Sequence, residues 1–302
     1  MRKHLGSPEG RTRPFGAPRA GAPSAQDTPH QTFRRGAQIM QKPTGNGAPR
    51  AQGLPGRLAA TAFWLLLWSA LASQLPGVLF AGPVRTAKSL LALLGTAECW
   101  RSVAGTLGQI AAGFLLAFAA GLVFGALCYR SRWLRALLSP AVQGMKSVPV
   151  ACFVIVALIW VPSQQIAVLL SAFVVFPLTY QSVLSGLSAV DPGLLEMAQV
   201  FRMPFSRRLR FLYIPQLAPF VLSSCRVSVG MCWKAGIAGE IIGLPRFSVG
   251  EQLYLAKLYL NMGDLFAWTL LIVAVSMGTE RLVLWAVDRA RQWMEDAYGC
   301  HF

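Results

Sequence analysis

Charge is what this chain has least of. Only 13% of its 302 residues are Asp, Glu, Lys or Arg, where soluble domains carry about 25%. With a mean hydropathy of +0.48, the shortfall excludes an ordinary soluble domain and indicates an integral membrane protein. Histidine is nearly absent, and His4, His30 and His301 all lie near the termini, so they cannot form a core site with one another. The six cysteines (Cys99, Cys128, Cys152, Cys225, Cys232 and Cys300) include no C-x-x-C pair. Neither a metal site nor a disulfide framework is indicated, and cysteines within apolar runs behave as small hydrophobes. No G-x-x-x-x-G-K-[ST] phosphate loop occurs; no cofactor and no catalytic site are expected.

The charge that exists is unevenly spread. Ten of the 28 Lys and Arg residues fall within residues 1–57, against only Glu9 and Asp27. This segment is rich in Gly, Pro, Ala, Arg and Ser and has no apolar periodicity, so it reads as a disordered basic cytoplasmic tail. It lacks the apolar stretch of a secretory signal. Other readings are an organellar transit peptide, which frequent Pro and Gly oppose, and a true start at Met40. A basic tail also suits nucleic acid or anionic lipid, but contact with nucleic acid is not expected.

From Leu58 onward the character changes. Six apolar stretches, approximately 58–80, 103–128, 141–161, 164–187, 217–243 and 264–287, are long enough to cross a bilayer, which takes about 20 helical residues. Open sheets cannot sit in lipid, so the spans are expected to be α-helices. The permease-like body would then run over 58–290, with residues 291–302 as a C-terminal tail. Basic residues set the orientation. Arg130, Arg132 and Arg135 lie between the second and third stretches, and Arg202, Arg207, Arg208 and Arg210 between the fourth and fifth. Both termini are therefore expected in the cytoplasm, in agreement with an even number of spans.

Between two lipid-compatible stretches stands "EMAQVFRMPFSRRLRFLYIPQL", residues 196–217, with one glutamate, four arginines and two prolines. Asp191 followed by Pro192 signals a helix start, an acid to cap free N–H groups and then a ring preset for the first turn. A short helix is expected from Pro192 to about Met203, where Pro204 disfavours continuation. A second, "FSRRLRFLYI", would run until Pro215. Apolar Met197, Val200, Phe201, Met203 and Phe205 amid the arginines suggest a knob that docks another protein. The competing reading is a loop whose arginines only fix topology.

The residues of this insert resemble the EAA loop of ABC importer permeases, a pattern of E-A-A, three residues, G, then a longer spacer ending in I and L-P. Glu196, Ala198, Ile214 and Pro215 match it approximately, Met197 stands at the first Ala and Arg202 at the Gly, and Met203–Pro204 offers another source for the bend. The likeness extends over residues 58–290. The stretches "AGPVRT", "VAGTLGQIAAGFLLAFAAGLVFG", "SVPVACFVIVALIWV", "VVFPLTYQSVLSGLSAVDPGLLEMA" and "CRVSVGMCWKAGIAGEIIG" look like the nitrate, sulfonate, taurine and bicarbonate branch. The resemblance implies an all-α polytopic permease subunit of the bacterial inner membrane, with about six spans and a cytoplasmic coupling loop. It also implies separate cytoplasmic ATPase subunits, an extracytoplasmic binding protein, a second permease copy, a lipid environment and a small anionic cargo. A self-sufficient secondary transporter or channel is the rival class, although no convincing inverted repeat supports it.

Arg226, Lys234 and Glu240 fall inside the fifth stretch. A charge at a helix centre costs about 2.5–3.5 kcal/mol on insertion scales, so such residues face protein or a watery path. Arg226 and Lys234 share one broad helix face, about 80° apart, while Glu240 points elsewhere. They are candidates for the pathway, Lys234 above all. Alternatively, Arg226 snorkels and Lys234 and Glu240 form interhelical ion pairs. Lys146, Glu280 and Arg281 read as interfacial. Gly121 with Gly125, and Gly239 with Gly243, have the spacing that lets helices approach closely. Pro149 and Pro177 are expected to kink their spans.

Overall fold

The computed structural model describes residues 54–298 apart from Val78. The expectations for the basic segment before Leu54, including a start at Met40, lie outside the described residues, as do Cys300 and His301. Among the described residues, those up to Ala60 and those from Thr61 onward fall into two units. The described residues form eleven α-helices and no strand: α1 (Leu54–Gln74), α2 (Pro83–Leu94), α3 (Ala97–Arg130), α4 (Arg132–Ser147), α5 (Val150–Ala157), α6 (Ile166–Ser188), α7 (Pro192–Val200), α8 (Phe205–Arg208), α9 (Ile214–Gly243), α10 (Val249–Leu258) and α11 (Met262–Tyr298). The all-α expectation holds.

Three helical segments, Ala97–Arg130, Ser163–Ser188 and Met262–Trp293, are long and apolar enough by themselves to cross a bilayer, and α4 with α5 would make a fourth as one bent pair. The expected stretch 141–161 is not a single rod. It divides between α4 and α5, whose axes turn by 107°. Pro149 explains the break, since its ring pushes Val148 out of the helical region, and Val148 has ψ 126°. The basic link expected before that stretch is also different. Only Ser131 separates α3 from α4, its hydroxyl accepting from the Leu134 amide at 3.4 Å, and Arg132 and Arg135 are already helical. Pro177, by contrast, lies within α6 without ending it.

α6 is the packing centre, with its broadest contacts made to α3 and α9. Large apolar side chains do not separate these helices everywhere, because glycine lets backbones meet. A Cβ on Gly121 would stand 2.7 Å from that of Thr179, and one on Gly125 would stand 2.7 Å from that of Val183. Association in lipid gains little from hiding apolar area and depends on such close fit. Around it, Ile110, Ala117, Val175, Val229, Trp233 and Val287 join α3, α6, α9 and α11 in one core. Leu115, Leu116, Leu137, Leu282 and Trp285 point outward and are more than half exposed, as lipid-facing side chains require.

Candidate functional site

The insert forms a compact projection from the bundle. Asp191 starts it as expected, its Oδ1 accepting from the Gly193 amide at 2.8 Å. α7 then ends at Val200, three residues before the expected Met203. The ending is a Schellman motif: the Met203 amide donates to the Ala198 carbonyl and the Arg202 amide to the Gln199 carbonyl, each at 2.9 Å. Arg202 occupies the left-handed position with φ 49°, where a glycine would be at ease. The residue at the resembling motif's Gly position thus makes the turn itself, and Pro204 follows as N-cap of α8. The Arg208 Nε donates to the Met203 carbonyl at 2.8 Å and ties the corner.

The expected stop at Pro215 does not occur. α8 runs through a π-turn over Leu209–Tyr213 directly into α9, with the Ile214 amide bonded to the Leu209 carbonyl. Pro215 has no N–H to offer the fourth carbonyl back, and its ring needs room there; a widened turn supplies both. The helical path from Phe205 to Gly243 is therefore unbroken.

On this projection Ala198 and Pro215 are buried, Met203 is half-buried, and Glu196, Met197, Arg202, Pro204 and Ile214 are exposed. The exposed apolar tips are Val200 at 79%, Phe201 at 73% and Phe205 at 69%. Soluble surfaces seldom present such side chains together without a partner. Behind them lies a mostly apolar cavity of about 600 Å³ lined by Tyr129, Leu187, Phe205, Leu209 and Tyr213. The Tyr129 and Tyr213 rings meet edge to face at 6.3 Å and join α3 to the π-turn.

Arg226, Lys234 and Glu240 do not come together. Arg226 is ion-paired with Asp288 of α11. Lys234 is exposed and has no ion-pair partner among the described residues. Glu240 is fully buried, and it too makes no ion pair among the described residues, so the alternative of ion pairing for these two is not seen there. Instead the Glu240 Oε2 accepts from the Thr106 hydroxyl at 2.8 Å and the Gly250 amide at 3.1 Å, and the Thr106 oxygen accepts from the Val249 amide at 3.0 Å. The carboxyl group fastens the first turn of α10 to α3 and α9. The sequence reading missed Thr106 and Gly250, which lie far from Glu240 along the chain or across a turn, and it missed α10 altogether. A polar cavity between α4 and α6 was not anticipated either.

The chain belongs to the family of binding-protein-dependent transport system inner membrane components, which matches residues 109–292. It is 26% identical over 241 residues to the bicarbonate transport system permease protein CmpB of Synechococcus elongatus, covering 77% of this chain and 86% of that one. Identity to the putative aliphatic sulfonates transport permease protein SsuC of Bacillus subtilis is 23% over 218 residues, covering 72% and 79%. The taurine transport system permease protein TauC of Escherichia coli is 25% identical over 186 residues, covering 59% and 68%. In fold the chain is similar to a bacterial ABC transporter involved in the import of the acidic polysaccharide alginate, with a TM-score of 0.53, 13% identity and coverage of 86% of this chain and 98% of that one. The chain is thus the membrane-embedded permease component of an ABC importer. It is not itself an enzyme, and it works with an ATPase and a binding protein that are separate subunits. Family membership sets aside the self-sufficient transporter.

Proposed function

We propose that two copies of this chain form the pathway for a small anion, with six crossings per copy contributed by α1, α3, the α4–α5 pair, α6, α9 and α11. Both termini and the projection at residues 196–215 face the cytoplasm, following the arginine distribution. The projection is the seat of the ATPase subunit. One observation carries this reading: Val200, Phe201 and Phe205 are exposed on a capped, bonded corner in a chain whose family relies on an ATPase partner. Closure of the ATPase dimer would tilt the projection and switch the bundle between inward and outward access. The relatives that transport bicarbonate, sulfonates and taurine support a small anion as cargo.

Tagged purification from native membranes tests the docking role, with wild type, Glu196→Arg and Phe201→Ser compared by mass spectrometry of bound chains. The ATPase should accompany wild type and be depleted from both variants. Equal recovery with all three would sink the assignment of this seat.

A further inference from the structure

α4 carries polar residues in a single line. Arg135, Ser139, Gln143 and Lys146 are spaced four, four and three apart, which places them on one helix face. The line spans about 16 Å of helix. α6 presents Gln181 and Ser185 to it, and the two helices flank an open cavity of about 340 Å³ to which Arg135, Gln143, Tyr180, Gln181 and Ser185 contribute. The Lys146 Nζ donates to the Gln181 Oε1 at 2.7 Å, joining the two lines at one end.

Three features mark this as a place for a solute. Neither α4 nor α6 contains an Asp or Glu, so two cations stand there without a carboxylate of their own elements. Arg135 and Lys146 take part in no ion pair among the described residues. Tyr180, which lines the cavity, is only 3% exposed, and its hydroxyl has no oxygen or nitrogen hydrogen-bond partner among the described residues; the Cys128 thiol beside it is a weak hydrogen-bonding group. Charged side chains in a membrane protein face protein or a water-filled path, and a buried hydroxyl left without a partner costs about 1–3 kcal/mol.

We infer that this cavity is a binding station for a small oxyanion, a carboxylate, nitrate or sulfonate group, held by the Arg135 guanidinium and the Gln143 and Gln181 amides, with the buried Tyr180 hydroxyl beneath them. Lys146 marks the far end of the same lane. The inference rests on the proposed reading of the chain as an anion pathway and names the residues that would contact the cargo. A planar guanidinium suits the paired oxygens of such groups, and the absence of acids turns cations away.

The test uses the full chain in lipid nanodiscs. Thermal unfolding is followed against increasing methanesulfonate, nitrate or bicarbonate at fixed ionic strength, with uncharged dimethyl sulfone as control. Wild type should show saturable stabilisation by at least one anion and none by the sulfone. Arg135→Gln should weaken the apparent affinity by roughly 10-fold or more, since it removes a charge-assisted contact. Arg135→Lys should retain much of it, and Gln143→Glu should abolish it by bringing in a carboxylate. Both altered side chains are exposed, so folding should survive. Stabilisation of wild type by none of the anions, or an unchanged response in Arg135→Gln, overturns the station. Recovery of the ATPase on the same proteins is scored in parallel. A normal ATPase complement with an unchanged anion response refutes the station alone, whereas loss of the ATPase from wild type refutes the coupling reading.

Discussion

Arg202 holds a backbone angle that side chains avoid, with φ 49°. The left-handed region costs a non-glycine residue about 1–2 kcal/mol. Arg202→Gly should therefore raise the thermal midpoint of the purified protein, by an amount corresponding to at most about 1 kcal/mol once glycine's extra freedom in the unfolded chain is counted. A lower midpoint would show that the arginine side chain contributes contacts that outweigh the strain. The sequence placed a bend near Met203–Pro204 and Arg202 at the resembling motif's Gly position, but an arginine gives no sign of the left-handed angle it adopts here. Glu240 was visible as a charge in an apolar run, but its role was not. The groups it binds, Thr106 and the Gly250 amide, come from other elements, and only the folded chain brings them together. Glu240→Gln keeps an oxygen able to accept both bonds. Glu240→Ala leaves buried donors unpaired, at about 1–3 kcal/mol each, and should unfold at clearly lower temperature than Glu240→Gln. Equal melting of the two would mean that the bonds contribute little.

Among the elements, those with strong local signals matched expectation best. Asp191 caps α7 as its sequence announces, and Asp191→Ala should cost about 1 kcal/mol. That loss should be seen as faster amide exchange across residues 192–200 with little change in α6; uniform exchange would argue against a local cap. The apolar runs foretold α3, α6 and α11, whose length and composition leave few other options. They did not foretell the turn between α4 and α5, since hydropathy sums over a window and is blind to one proline at its centre. The opposite error occurred at Pro215, where proline read as a stop and the chain widened into a π-turn instead. Proline forbids one hydrogen bond, but whether the helix ends or adapts depends on the packing around it. The short helices α2 and α10 were not anticipated, because each offers too few residues for a periodic signal.

For the molecule as a whole, the polar lane and the projection could not be read from order alone. The lane needs α4 and α6 in register, and Arg135, expected in a loop, had to be recognised as helical. Lys234 is exposed on α9, where it stays a candidate to face the cargo. Lys234→Met should slow uptake in reconstituted vesicles while the complex assembles normally, and full-rate uptake would remove it from the pathway. Removing residues 1–39 should leave uptake intact; loss of uptake would give the basic segment a part in the work. The unbroken helical path described earlier has a mechanical meaning. α9 alone has 30 residues, a shaft of about 45 Å, with the exposed corner at one end and the Glu240 clasp on α10 at the other. A tilt of about 5° at the near end would sweep the far tip through roughly 4 Å over that length. With the ATPase seated there as proposed, the projection would be the short arm of a lever and α10 the load it lifts.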